Sequence, residues 1–140
     1  MNPIVRNILA VVAGAVLGSL VNGAIITLGH SIIPPPEGTD LTTMEGFKAA
    51  VALFEPKHFV MPFLAHAVGT LVGAFLAAKI AGSHKMRLAL IVGLLFFIGG
   101  LINVLSVPAP LWFDILDLSL AYFPMAYLGG MLASGSKSAE

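Results

Sequence analysis

The sequence predicts an all-α, polytopic integral membrane protein: a four-helix transmembrane bundle with one short amphipathic helix in the first extracytoplasmic loop. The first observation is composition, because 58% of the residues are hydrophobic, only 10% are charged and the mean hydropathy is +0.98. A soluble domain has a very different balance. The second observation is that four long segments are almost free of charge, and each approaches the roughly 20 residues that a helix needs to cross hydrocarbon. We therefore expect a single membrane domain over residues 1–140.

The four apolar segments define the predicted helices. They cover about residues 4–33, 59–80, 87–107 and 111–134. The first segment is about twice as long as the apolar part of a signal peptide, and no A-x-A-like cleavage site follows it. "SIIPPPEG" follows instead. We therefore expect the first segment to be a transmembrane helix.

A short amphipathic helix is predicted in the first loop, over residues 42–55. Thr42 and Glu45 have the spacing of a capping box, and the proline after Glu55 disfavours continuation of the helix. Such a helix can lie on the bilayer surface or cap the bundle. It can equally be an ordinary loop helix packed on its own protein. Its apolar face consists of Met44, Phe47, Val51 and Phe54.

The distribution of Lys and Arg predicts the orientation, because cations beside short loops are held on the cytoplasmic side. Arg6 precedes the first helix, Lys137 follows the fourth, and Lys79, Lys85 and Arg87 flank the turn between the second and third. These cations share one side if both termini do. We therefore expect both termini in the cytoplasm, and we expect the membrane to be a bacterial inner membrane.

Composition also bounds the partners and cofactors. The chain has no cysteine, which removes disulfides, thiolate chemistry and Cys-based metal or haem attachment. Its formal net charge is zero, and no basic tract is dense enough to neutralise several phosphates, so no nucleic-acid binding is expected. No cofactor is predicted. The expected partners are the lipid bilayer and either further copies of the chain, as a homo-oligomer, or a larger membrane complex.

Glycines are predicted to form the contacts between helices. Lipid supplies no hydrophobic drive between helices, so close backbone approach at small residues replaces it. The first and second segments each contain a G-x-x-x-G pair. The sequence leaves open whether these contacts join helices of one chain or of neighbouring subunits. The predicted packing glycines are Gly14, Gly18, Gly69, Gly73, Gly100, Gly129 and Gly130.

An internal repeat is a further possibility. Residues 18–22 read "GSLVN" and residues 99–103 read "GGLIN", and each stretch lies in a helix that ends in a proline-containing loop. The first and second helices could therefore form a hairpin with the same topology as the third and fourth, as in the parallel repeats of membrane transporters. Such matches also arise by chance in a background rich in Gly, Leu and Val.

The stretch "FEPKHFVMPFLAH", residues 54–66, brings polar side chains to the start of the second helix. His58, Pro62 and His66 are spaced four residues apart and therefore lie on one helix face. With a rise of ~1.5 Å per residue, His66 lies roughly 12 Å deeper than His58. Pro62 and, in the fourth helix, Pro124 are predicted to kink their helices, because proline removes a backbone donor.

Polar side chains gather in the half of the bundle that the predicted topology places outside. Ionisable groups at membrane depth are costly, usually face the interior and are functional candidates by default. We therefore predict a water-accessible cleft that opens outward, with His66 and Asp117 at its floor. Alternatively, these two residues form a purely structural hydrogen bond, and Asp114 caps the fourth helix. The predicted cleft residues are His66, Asp117, Asp114, Asn103, His58, Glu55, His30 and Asn22.

A metal site is an alternative use of these residues. Glu55 and His58 have the Glu-x-x-His spacing of di-iron helices, but a proline interrupts the pair and only one copy exists. A site made of Asp114, Asp117 and His66 is geometrically easier. The sequence does not determine whether a metal binds.

Two classes of function therefore follow from the sequence. The first is a transporter or channel-like protein for an ion or small solute, in which the titratable floor of the cleft acts as a gate. The second is a non-catalytic accessory or scaffold subunit that docks to a larger membrane complex through its glycine contacts. A membrane enzyme is a third class, for which the sequence names no catalytic residue.

Overall fold

The computed structural model describes residues 1–135, and these residues form helices with no strand among them. Four helical segments are long and apolar enough to cross a membrane: Pro3–Ile32, Pro56–Ile80, Lys85–Ser106 and Leu111–Ser134. The prediction of an all-helical chain with four such segments is confirmed. Lys137, which contributed to the predicted orientation, lies outside the described residues.

Helix α1 runs without a break over Pro3–Ile32. The side chain of Asn2 caps it by accepting the backbone N–H of Ile4 at 2.8 Å. Proline at the first helical position suits this start, because its missing N–H would have no partner there. The helix ends directly before the proline-rich connection that the sequence places after it.

Helix α2, Met44–Val51, is shorter than the predicted 42–55 and begins one residue after a different cap. The hydroxyl of Thr43 accepts the backbone N–H of Gly46 at 3.0 Å. Thr42, the predicted start, instead donates its hydroxyl to Asp40 at 2.6 Å. The local Asp–Thr hydrogen bond therefore competes with the predicted capping box, and the helix begins later.

A 3₁₀ turn, Pro56–Phe59, leads into helix α3, Val60–Ile80. Pro62 lies in the first turn of α3, where backbone N–H groups have no partner within the helix. The change from 3₁₀ to α geometry lies upstream of Pro62, at the junction between the two elements.

Helix α4 covers Lys85–Ser106, and the predicted fourth helix is divided into α5, Leu111–Leu120, and α6, Phe123–Ser134. The predicted helix over 111–134 is therefore not continuous, because it is interrupted between Leu120 and Phe123. Pro124 has no N–H to donate to the carbonyl of Leu120, and its ring disfavours helical geometry in the preceding turn.

Helix α3 is the centre of the bundle and packs against α1, α4 and α6, whereas α1 touches α4 much less. The core between α3, α4 and α6 is made almost entirely of alanine with one valine, Val92. Small side chains bring these helix axes close together. The weaker contact between α1 and α4 leaves a gap on one side of the bundle.

The two ends of the bundle differ in chemistry. At one end, named here the Arg6 end, the Arg6 guanidinium donates to the carbonyl of Ile80 at 2.6 Å. The opposite end, named the Trp112 end, holds α2 and an aromatic cluster in which the Phe59 ring lies 5.6 Å from Trp112 and 4.7 Å from Phe113.

Candidate functional site

The position of the site is set by backbone contact between α1 and α3. A β-carbon at Gly73 would lie 2.6 Å from the carbonyl oxygen of Gly14, and one at Gly69 would lie 2.8 Å from that of Gly18. No side chain fits at such distances, so the two G-x-x-x-G pairs face each other directly. This contact fixes the register of α1 and brings Asn22 beside Gly69.

The other predicted packing glycines also make contacts within this chain. Gly129 lies against the backbone of α3, Gly130 against Met86 and Ala89 of α4, and Gly100 against the hydroxyl of Tyr122. In this structure these glycine contacts join helices of one chain.

His66 of α3 and Asp117 of α5 are brought together by the fold. The Nδ1 atom of His66 lies 2.9 Å from each carboxylate oxygen of Asp117. Tyr122 completes the cluster by donating its hydroxyl to Oδ2 of Asp117 at 2.9 Å. Only 3% of Asp117 and 2% of Tyr122 are exposed. The buried carboxylate thus has two hydrogen-bond donors, which is what a buried ionisable group requires.

The break between α5 and α6 makes this cluster possible. Residues five apart in a continuous α-helix point about 140° away from each other around the axis. Tyr122 follows Asp117 by five residues, yet its hydroxyl reaches the carboxylate because the helix is interrupted at Ala121 and Tyr122. The proline that interrupts the helix therefore also shapes the site.

The hydrogen bond to Asp117 orients the imidazole of His66. A carboxylate only accepts hydrogen bonds, so Nδ1 carries the proton and Nε2 is the second ring nitrogen. Among the described residues no partner bonds Nε2. The ring also stacks on Tyr122, with centroids 5.9 Å apart, and 17% of the His66 side chain is exposed. Nε2 accepts a hydrogen bond when the ring is neutral and donates one when it is protonated.

Two cavities meet at His66. The first, named the end cavity, has a volume of about 150 Å³ and lies at the Trp112 end, where Phe47 and Val51 of α2 cover it. Its lining is mostly apolar and aromatic. The polar residues in the lining are His30, His58, His66 and Asn103.

The second cavity, named the lateral groove, has a volume of about 480 Å³ and lies between α1 and α4. Ile26, His66 and Asn103 line both cavities. His66 therefore lines both the end cavity and the groove. The polar residues that line the groove are Ser19, Asn22, His66, Asn103 and Tyr122.

Three of the predicted cleft residues, Asp117, Asp114 and Glu55, line neither of these cavities. Asp117 was expected at the floor of the cleft, but it lies buried behind His66. Asp114 is partly buried one turn before Asp117 on α5. Glu55 is exposed and pairs with Lys57 at 3.3 Å. Its backbone N–H donates to Nδ1 of His58 at 2.9 Å, so the two residues form a helix cap.

The metal alternative has no geometric support in the described part of the chain. Within residues 1–135, His, Asp and Glu form no group of three or more that could hold an ion. The easier of the two metal hypotheses required a site made of Asp114, Asp117 and His66. These three side chains do not form such a group.

Two polar residues of the site region are absent from the sequence prediction. Tyr122 is fully buried in the cluster, and its position two residues before Pro124 was the available signal. Thr70 is completely buried one turn below His66, and within residues 1–135 its hydroxyl has no hydrogen-bond partner. Helical spacing places Thr70 on the same face as His66, but threonine is common on apolar helix faces, so this position alone did not mark it as a cleft residue.

Comparison with protein-family models, with curated proteins and with solved structures finds no match to this chain.

Proposed function

We propose that this chain is a small multi-pass membrane protein whose polar cleft, open toward the Trp112 end, conducts or transports an ion or small solute. The position of His66 carries the proposal. Its imidazole stands where the end cavity meets the lateral groove, with Asp117 fixing its orientation. Ionisable groups inside transmembrane bundles are typical of ion and proton pathways. An imidazole can take up and release a proton, which suits a gate at this point.

The proposed orientation places the Arg6 end in the cytoplasm of a bacterial cell and the Trp112 end outside the inner membrane. The cations that flank the turn between α3 and α4 support this orientation, since they share an end with Arg6. The end cavity then opens outward. Helix α2 covers it as an amphipathic cap, because its apolar side packs on the bundle through Phe47 and Val51.

Proton flux tests the proposal, because a proton is the ion that His66 can bind. Purified protein is reconstituted into liposomes loaded with the pH dye pyranine, and a K⁺ diffusion potential set with valinomycin supplies the driving force. We expect H⁺ entry above that of empty liposomes. His66→Ala and Asp117→Asn should abolish it, since the first removes the titratable ring and the second its anionic partner.

Two matched variants keep this test specific. His66→Gln retains a group that can bond Asp117 but cannot titrate, so it should also lose flux while its thermal midpoint stays near that of the wild type. His84→Asn, in the turn at the Arg6 end where the backbone is left-handed at φ 50°, should keep full flux. Flux equal to wild type in both His66 variants would overturn the proposal.

The accessory-subunit alternative depended on glycine contacts that dock a partner. In the structure, glycines such as Gly69 and Gly73 are covered by α1 of the same chain. Leucine at either position should therefore unfold the isolated protein rather than detach a partner from an intact one. Loss of a co-purified partner with unchanged folding would favour the accessory function.

A further inference from the structure

The lateral groove opens to the side of the bundle rather than to its end. Ser19 of α1 and Leu95 and Gly99 of α4 line the groove and are exposed. In the proposed orientation this side faces lipid acyl chains. A molecule in the bilayer can therefore reach the groove without first entering water.

The floor of the groove offers a hydrogen-bonding atom that lacks a partner. Nε2 of His66 has none within residues 1–135. Oδ1 of Asn22 also has none there, but it is buried. The hydroxyl of Tyr122 donates to Asp117, and its oxygen can still accept one bond. Unpaired polar groups at membrane depth are costly, so a partner at this floor is strongly favoured.

The chemistry of His66 selects the kind of partner. A carbonyl only accepts, so it can bond Nε2 only when the ring is protonated. An ammonium only donates, and a protonated imidazole repels it. A hydroxyl donates to the neutral ring and accepts from the protonated one. A hydroxyl therefore stays bonded in both states of a gate.

We propose that the lateral groove binds a hydroxyl-bearing amphiphile that enters sideways from the bilayer, with its hydroxyl at His66 and its tail along the apolar walls formed by Ile26, Leu95 and Phe96. This site rests on the proposed function and names a lipid-like ligand of the same cleft. The tail extends through the opening between α1 and α4 and packs there against the acyl chains of the bilayer.

Photolabelling in lipid nanodiscs tests this site. The full chain is irradiated with hexadecanol that carries a diazirine in its tail, and in parallel with hexadecane that carries the same diazirine. Labelled residues are assigned by mass spectrometry. We expect hexadecanol to label the groove walls about five-fold more than hexadecane, the preference that one ordinary net hydrogen bond provides. The lipid-facing surface outside the groove should be labelled equally by both probes.

Two glycines provide a matched pair of blocking variants. A β-carbon meets nothing within 4 Å at Gly99 or at Gly23, so both positions accept a larger side chain. Gly99 lines the groove and Gly23 does not. Gly99→Phe should therefore abolish the preference for hexadecanol, and Gly23→Phe should keep it.

A second matched pair removes a polar group without filling the groove. Asn103→Leu should reduce the preference, because Asn103 lines the groove and is exposed. Thr27→Leu should leave it unchanged, because the Thr27 hydroxyl already bonds the carbonyl of Gly23 on its own helix.

Equal labelling by the two probes would overturn the site, as would a preference that survives Gly99→Phe. This result is separable from failure of the proposed function. Loss of proton flux in His66→Gln with equal labelling would leave transport standing and remove the amphiphile. A hexadecanol preference without any wild-type flux would keep the site and remove transport.

Discussion

At the Arg6 end, α1 and α3 touch backbone to backbone at paired glycines, and alanines fill the space between α3, α4 and α6. At the Trp112 end, aromatic rings pack together, and the end cavity lies among them. Small residues let the helix backbones of the first region touch, so no space is left between them. The larger side chains of the second region leave space between one another. The tightly packed half of the bundle, toward the Arg6 end, thus holds the helices in place. The opposite half of the same helices surrounds the cleft.

The largest effect should come from filling a contact in the tight half. Gly14→Leu places a side chain against the backbone of Gly73, which cannot move aside, so we expect a loss of about 3 kcal/mol or more. Gly23→Leu on the same helix meets open space and should change the free energy of unfolding by less than about 0.5 kcal/mol. Reversible unfolding in mixed micelles measures both. Equal effects would show that the α1–α3 contact is not what holds the bundle.

The next effect concerns two carboxylates one turn apart in the open half. Asp117→Leu leaves His66 and Tyr122 without their acceptor, so we expect destabilisation of about 1–3 kcal/mol. Asp114→Leu breaks no side-chain hydrogen bond among the described residues and should cost less than about 0.5 kcal/mol. The same unfolding assay compares them. A larger effect for Asp114 would show that α5 is rotated differently.

A smaller effect should follow from Tyr122→Phe, which removes one hydrogen bond and keeps the ring. We expect a loss of about 1 kcal/mol. A β-carbon at Gly100 would overlap the Tyr122 hydroxyl and also ring carbons that phenylalanine keeps, so Gly100→Ala should destabilise both the wild type and Tyr122→Phe. An unchanged free energy of unfolding for Gly100→Ala in both backgrounds would argue against the contact.

The smallest effect should be a pH dependence at the start of α2. The Thr42 hydroxyl and backbone N–H bond the Asp40 carboxylate and hold its pKa below the usual range. A lowered pKa stabilises the folded loop above the ordinary pKa of aspartate, and this stability is lost as pH falls through the lowered value. Hydrogen exchange of the Gly46 amide should therefore lose protection in acid. Asp40→Asn should make that protection independent of pH, and an unchanged acid response in this variant would contradict the assignment.

The approach of His66 to Asp117 could be predicted because each is an isolated ionisable group in an apolar helix, and both were expected at the same depth. The involvement of Tyr122 could not be predicted, since in a continuous helix its side chain would point away from Asp117. The helix break before Pro124 places the Tyr122 hydroxyl within hydrogen-bond distance of the Asp117 carboxylate. Helical spacing places Asp114 and Asp117 near each other on α5. It does not report the rotation of α5 about its axis, which tertiary packing sets, so it could not show that only Asp117 bonds His66.

The glycine contacts show the same limit. Two G-x-x-x-G pairs predicted close helix packing, and α1 and α3 do pack closely. The motif does not state its partner, however, because any small-residue face can meet any other. The structure pairs Gly14 with Gly73 and Gly18 with Gly69. Gly23 and Gly99, which look equivalent in sequence, stand in open space.

Water access to the cleft tests the central claim most directly. The chain has no cysteine, so single cysteines can be placed at Asn103, which lines both cavities, and at the neighbouring Ile102, which is 59% exposed and lines neither. In sealed proteoliposomes, a membrane-impermeant methanethiosulfonate reagent added on the side of the Trp112 end should modify Asn103→Cys about ten-fold faster than Ile102→Cys, because only a hydrated thiol ionises and reacts. Equal and negligible reaction at both positions would mean that the cleft is dry, and would contradict the account.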